Sequence, residues 1–81
     1  MRSTYLLLSP MTPEQQFFHK AWSTLVRMGR LKPHSRLLAV SDNGEAFVEQ
    51  GDAIYTIERV GRVAAALRDP DEREIGRWYI G

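Results

Sequence analysis

The sequence predicts an α+β fold: a long N-terminal amphipathic helix packed on a small antiparallel β-meander, with a second short helix. Three observations carry that expectation. Apolar residues from Phe17 to Val26 recur at helical spacing behind a helix-start signal. The turns Asn43-Gly44 and Gly51-Asp52 then divide three short segments rich in strand formers. From residue 58 the apolar spacing becomes helical again.

The first helix is predicted at residues 13–29. Thr12 can accept from a free backbone N–H, Pro13 suits the first helical position, and Gln15 can complete a capping box. Phe17, Phe18, Ala21, Trp22, Leu25 and Val26 form one broad face, with Lys20, Ser23, Thr24 and Arg27 opposite. Gly29 offers a left-handed stop, and Pro33 prevents the helix from resuming.

After Pro33 the pattern shortens. Arg36 to Ser41 is apolar and strand-like, and Asp42-Asn43-Gly44 supplies the positive φ of a tight hairpin. Glu45 to Gln50 alternates around Phe47, and Ala53 to Ile57 reads as the third strand. Tyr5 to Leu8 offers a fourth. Val60, Val63, Ala64 and Leu67 then share a helical stripe, which Gly61 weakens by about 1 kcal/mol relative to alanine. Asp69-Pro70-Asp71-Glu72 looks like a further helix start, and Trp78-Tyr79-Ile80 like an extended end.

The chain has 81 residues, enough for a single small domain. It has no cysteine, which excludes disulfides, thiolate metal sites and thiol nucleophiles. A core this small is marginal without help, so a partner or a second copy of the chain is a natural source of stability. The longest apolar run, Val63 to Leu67, is far below the roughly 20 residues of a membrane span. The reading is therefore a cytoplasmic protein with no membrane association.

Net charge is +1, but it is distributed in blocks. Lys20, Arg27, Arg30, Lys32 and Arg36 lie in a stretch without acids; Asp42, Glu45, Glu49, Asp52 and Glu58 follow without bases. Opposed blocks can neutralise each other within the fold or present a two-signed surface that steers a partner.

Chemistry-bearing motifs are scarce. His19 and His34 are too few, and too poorly spaced, to suggest a zinc site. Asp69, Asp71, Glu72 and Glu74 sit among Arg68, Arg73 and Arg77, where capping and ion pairing explain them. Asp42 to Glu45 lacks calcium-loop spacing. The glycines are scattered and no Gly-x-Ser-x-Gly elbow occurs. The expectation is a protein with no enzymatic activity, cofactor or metal.

What remains is binding. Tryptophan, tyrosine and arginine dominate interface hot spots, which singles out Trp78, Tyr79 and Arg77, with Tyr55 on a half-exposed strand. The favoured reading is a protein-binding module that inhibits, adapts or regulates a larger intracellular protein. Small accessory proteins of phages and bacteria commonly act in this way on a host factor. The alternative is a nucleic-acid-binding regulator using Lys20, Arg27, Arg30, Lys32 and Arg36. The missing second helix and the acids that follow weigh against it.

Overall fold

The structure is a computed structural model that describes residues 11–81. One helix, α1 (Pro13–Arg27), precedes five strands: β1 (Arg36–Val40), β2 (Glu45–Gln50), β3 (Ala53–Val60), β4 (Ala64–Arg68) and β5 (Glu74–Tyr79). The strands form one antiparallel sheet in the order β1-β2-β3-β4-β5, so each pairs with its sequence neighbours. The fold is α+β. The expected strand at Tyr5–Leu8 lies outside the described residues.

The start of α1 follows the sequence closely. Thr12 Oγ1 accepts from Gln15 N–H at 3.1 Å, and Gln15 Oε1 accepts from Thr12 N–H at 2.9 Å, which closes the capping box. The helix spans 15 residues and ends at Arg27, two residues before the expected stop. Gly29 then adopts φ +79°, and Arg30 N–H reaches back to the Leu25 carbonyl at 2.8 Å.

The expected second helix is not present. Residues 58–68 hold the end of β3, a turn at Gly61 and all of β4. Gly61 has φ +64°, a conformation that belongs to a tight turn and not to a helix. The helical stripe was a coincidence of two strand ends separated by three turn residues. Alanines 64–66 favour helix in isolation, but pairing with β3 and β5 overrides that weak preference.

The second start signal also belongs to a turn. Asp69 Oδ1 accepts from Asp71 N–H and Arg73 N–H, each at 2.9 Å, and Asp69 N–H donates to the Arg73 carbonyl. Glu72 takes φ +68°, so this hairpin places a non-glycine residue in the left-handed region. The end that read as helical turn plus extension is strand from Glu74 to Tyr79.

Alternation assigns the two faces of the sheet. Leu37, Val40, Ala46, Val48, Tyr55, Ile57, Arg59, Ala65, Leu67 and Trp78 share the face beneath α1. There Phe18, Ala21 and Leu25 of the helix, with Leu31, pack on Ala46, Val48, Ile57, Ala65, Leu67 and Ile80. Phe18, Leu25, Ile57 and Leu67 are fully buried, while Phe17 and Trp22 are half-buried at the margin. Trp22 Nε1 donates to Ser35 Oγ at 3.0 Å, and Ser35 Oγ donates to the Lys32 carbonyl at 2.6 Å. At the other end of α1, Arg59 pairs with Glu14 and its guanidinium carbon lies 4.3 Å from the Phe17 ring centroid.

No helix covers the opposite face among the described residues. It carries Arg36–Glu49 (2.8 Å) and a cluster in which Arg68 pairs with Glu45 (2.7 Å), Glu58 and Glu72 (3.5 Å). The hydrogen bond to Glu58 raises the Arg68 guanidinium above its ordinary pKa. The two outer strands each contain a one-residue register shift, at Leu38 in β1 and at Ile75 in β5.

Candidate protein-binding surface

The residues singled out from the sequence fall on two faces. Trp78 and Tyr55 point toward α1, whereas Arg77 and Tyr79 point the other way. Tyr55 is half-buried against the core, two strands in from β5. It does not join the others. Trp78, Tyr79 and Arg77 remain together only because, among the described residues, β5 is an outer strand.

Trp78 is held from two sides. Its indole lies over Gly76, where an added Cβ would come within 2.7 Å of Cζ2. The Arg30 guanidinium carbon sits 5.3 Å from the ring centroid. Half-buried and packed on the core, Trp78 is a support for the edge as much as a contact surface. Tyr79 is different: at 74% exposure it is the most exposed of the large hydrophobic residues described. Its ring flanks Gly81, whose carbonyl accepts from Lys20 Nζ at 3.0 Å.

The edge therefore gathers Lys20 and Arg30 from the helical layer with Trp78 and Tyr79 from β5. Among the described residues neither Lys20 nor Arg30 has an ion-pair partner. Arg77 Nε donates to Glu74 Oε2 at 2.9 Å. That hydrogen bond lowers the pKa of the Glu74 carboxyl and raises that of Arg77. Arg77 thus enters any interface already paired.

The five basic residues from 20 to 36 do not line one groove. Lys20 and Arg30 lean toward β5, and Arg27 is exposed at the end of α1. Lys32 lies in the loop beyond, where its N–H donates to Gln50 Oε1 at 2.6 Å. Arg36 sits on the opposite sheet face, bound to Glu49. Comparison with known protein families, characterised proteins and solved structures finds no match.

Among the described residues no group of three or more His, Asp or Glu side chains is arranged to hold a metal ion. His19 lines a shallow groove between α1 and β1, and His34 is exposed in the loop before β1. Asp69 caps the last hairpin, and Glu72 and Glu74 pair with Arg68 and Arg77. No helix described is long and apolar enough to cross a membrane.

Sequence reasoning did not anticipate Lys20 and Arg30 as partners of the aromatic edge. Both were visible as cations, but 61 residues separate Lys20 from the carbonyl it binds. The Arg68 cluster was also missed, because it is assembled from β2, β3, β4 and the last turn.

Proposed function

We propose that this chain is a non-enzymatic protein-binding module, an inhibitor, adaptor or regulator of a larger intracellular protein, and that it meets its partner along β5. The observation that carries this reading is the exposed Tyr79 on β5, with Lys20 held at the neighbouring Gly81 and Arg30 stacked on the adjacent Trp78, neither cation having an ion pair among the described residues. A rigid aromatic ring ordered at low entropy cost, rimmed by cations, suits an apolar pocket bordered by carboxylates.

A photo-crosslinking residue placed at position 79 tests the reading, with position 52, in the turn between β2 and β3, as control. The expected result is one protein captured from position 79 and not from 52. Its affinity should then fall about thirty-fold in Tyr79→Ala, the loss typical of a hot spot. An affinity within twofold of the parent would refute it.

A second reading has its own support. Residues 15–41 contain no carboxylate, so Lys20 and Arg27 of α1 and Arg30 and Lys32 of the following loop have no acid between them in the chain, and all four are exposed. These cations suit a nucleic-acid backbone. Such binding should weaken steeply with salt and lose part of its salt slope in Arg27→Ala/Arg30→Ala. We expect no useful affinity for duplexes at about 0.15 M salt.

A further inference from the structure

We infer that Asn43 is a site of spontaneous covalent modification, deamidation through a cyclic imide, and that the Ser41 hydroxyl assists it. This stands apart from the β5 reading and rests on the turn between β1 and β2. Asn43 is the only asparagine in the chain, and glycine follows it. Asp42 and Asn43 are both exposed, so water and base reach the side chain.

Ring closure needs a main-chain nitrogen that can approach the side-chain carbonyl carbon of the residue before it. Gly44 presents no side chain to hinder that approach, and an added Cβ there would meet nothing within 4 Å. Among the described residues the Gly44 N–H donates to no acceptor, while its carbonyl accepts from Arg59 N–H at 2.9 Å. The residue is held, but its nitrogen is not tied into the sheet. On the other reacting group, Ser41 Oγ donates to Asn43 Oδ1. That bond draws electron density from Cγ and stabilises the oxyanion that forms when nitrogen attacks. Ser41 is itself fixed, because its N–H donates to the Glu45 carbonyl at 2.8 Å. The same carbonyl, 3.1 Å from Ser41 Oγ, is the competing acceptor for the hydroxyl.

The step balances without an oxidant or reductant. Base removes the Gly44 amide proton, and the nitrogen attacks Asn43 Cγ. The Cγ–Nδ2 bond breaks, and Nδ2 takes up a proton and leaves as ammonia. Water then opens the imide at either carbonyl, giving aspartate or isoaspartate. Either product adds a carboxylate between Asp42 and Glu45, and Glu45 already faces Glu58 across the β2–β3 pair. Isoaspartate also lengthens the main chain by a methylene inside the loop that Ser41 and Glu45 close. The modification therefore loosens the β1–β2 hairpin slowly and in one direction.

The test follows the full chain through weeks near neutral pH, by mass spectrometry of the tryptic peptide 37–59. Parent, Ser41→Ala and Ser41→Thr are incubated in buffer and in urea, with circular dichroism confirming the fold in buffer. In buffer the parent should lose the Asn43 amide about three- to tenfold faster than Ser41→Ala, the effect of one hydrogen bond made to the transition state. Ser41→Thr keeps the hydroxyl and should keep the parent rate. In urea all three rates should coincide, and the parent in buffer should be at least as fast as in urea.

A parent that keeps Asn43 intact in buffer while losing it in urea would overturn the proposal, because the folded turn would then protect the amide. Equal rates for folded parent and Ser41→Ala would overturn it too, since the turn would add nothing to the Asn-Gly sequence. Faster loss in Ser41→Ala would do the same, by making the hydroxyl a guard.

Discussion

Trp78→Ala separates support from contact at the β5 edge. Truncating a fully buried tryptophan costs about 3–5 kcal/mol, so a half-buried ring should cost about 1.5–2.5 kcal/mol. The Arg30 stack at 5.3 Å adds about 0.5–1 kcal/mol. The expected total is about 2–3 kcal/mol, which in a domain of this size lowers Tm by about 10–20 °C. Thermal unfolding followed by circular dichroism measures it. A double-mutant cycle with Arg30→Ala should return a coupling of about 0.5–1 kcal/mol for the stack alone. A loss below about 0.5 kcal/mol would refute the packing argument and make Trp78 a free contact residue. A large loss of Tm with partner affinity unchanged in the folded fraction would leave Tyr79 as the sole aromatic anchor.

Three further outcomes are expected. Leu25→Ala, at a fully buried site, should cost about 2–5 kcal/mol in denaturant unfolding. Glu72→Gly should stabilise the protein by about 0.5–1 kcal/mol, because relief of a left-handed residue at φ +68° outweighs one ion pair at 3.5 Å whose Glu72 end is exposed; destabilisation would show that the Arg68 pairing matters more. The Glu74 carboxyl, depressed by its hydrogen bond from Arg77, contributes stability above its unfolded pKa and loses it as pH falls through the lower folded value. Side-chain NMR titration of Arg77→Gln should show the Glu74 midpoint rising toward the ordinary carboxyl range.

The elements that sequence predicted correctly are those whose signals are local and chemical. Thr12 and Gln15 define a helix start through side chains three residues apart, and Gly44 and Gly51 define turns by adopting positive φ. Residues 58–68 failed because helical and strand spacings coincide over so short a run. Only pairing with β3 and β5 decides between them. Asp69 shows a narrower failure. Its role as a side-chain cap was right, but the N–H groups it satisfies belong to a hairpin. The candidate site failed differently: Trp78-Tyr79-Ile80 read as extended, and in an extended segment period two already sends Trp78 and Tyr79 to opposite faces, which grouping them as one patch overlooked. The approach of Lys20 and Arg30 depends on docking α1 across the whole sheet, which no local pattern encodes.

The nearest-neighbour order of the strands has a kinetic consequence. Each hairpin closes a short loop and needs no other part of the molecule to begin pairing, so contact order within the sheet is low. The helix is in a different position. The apolar face of Phe18, Ala21 and Leu25 has no complete counterpart until β2, β3 and β4 have zipped together. Sheet formation should therefore sit before the rate-limiting barrier, and helix docking at or after it. Substitutions in the turns at Gly44 and Gly51 should slow folding, while those on the buried face of α1 should chiefly hasten unfolding.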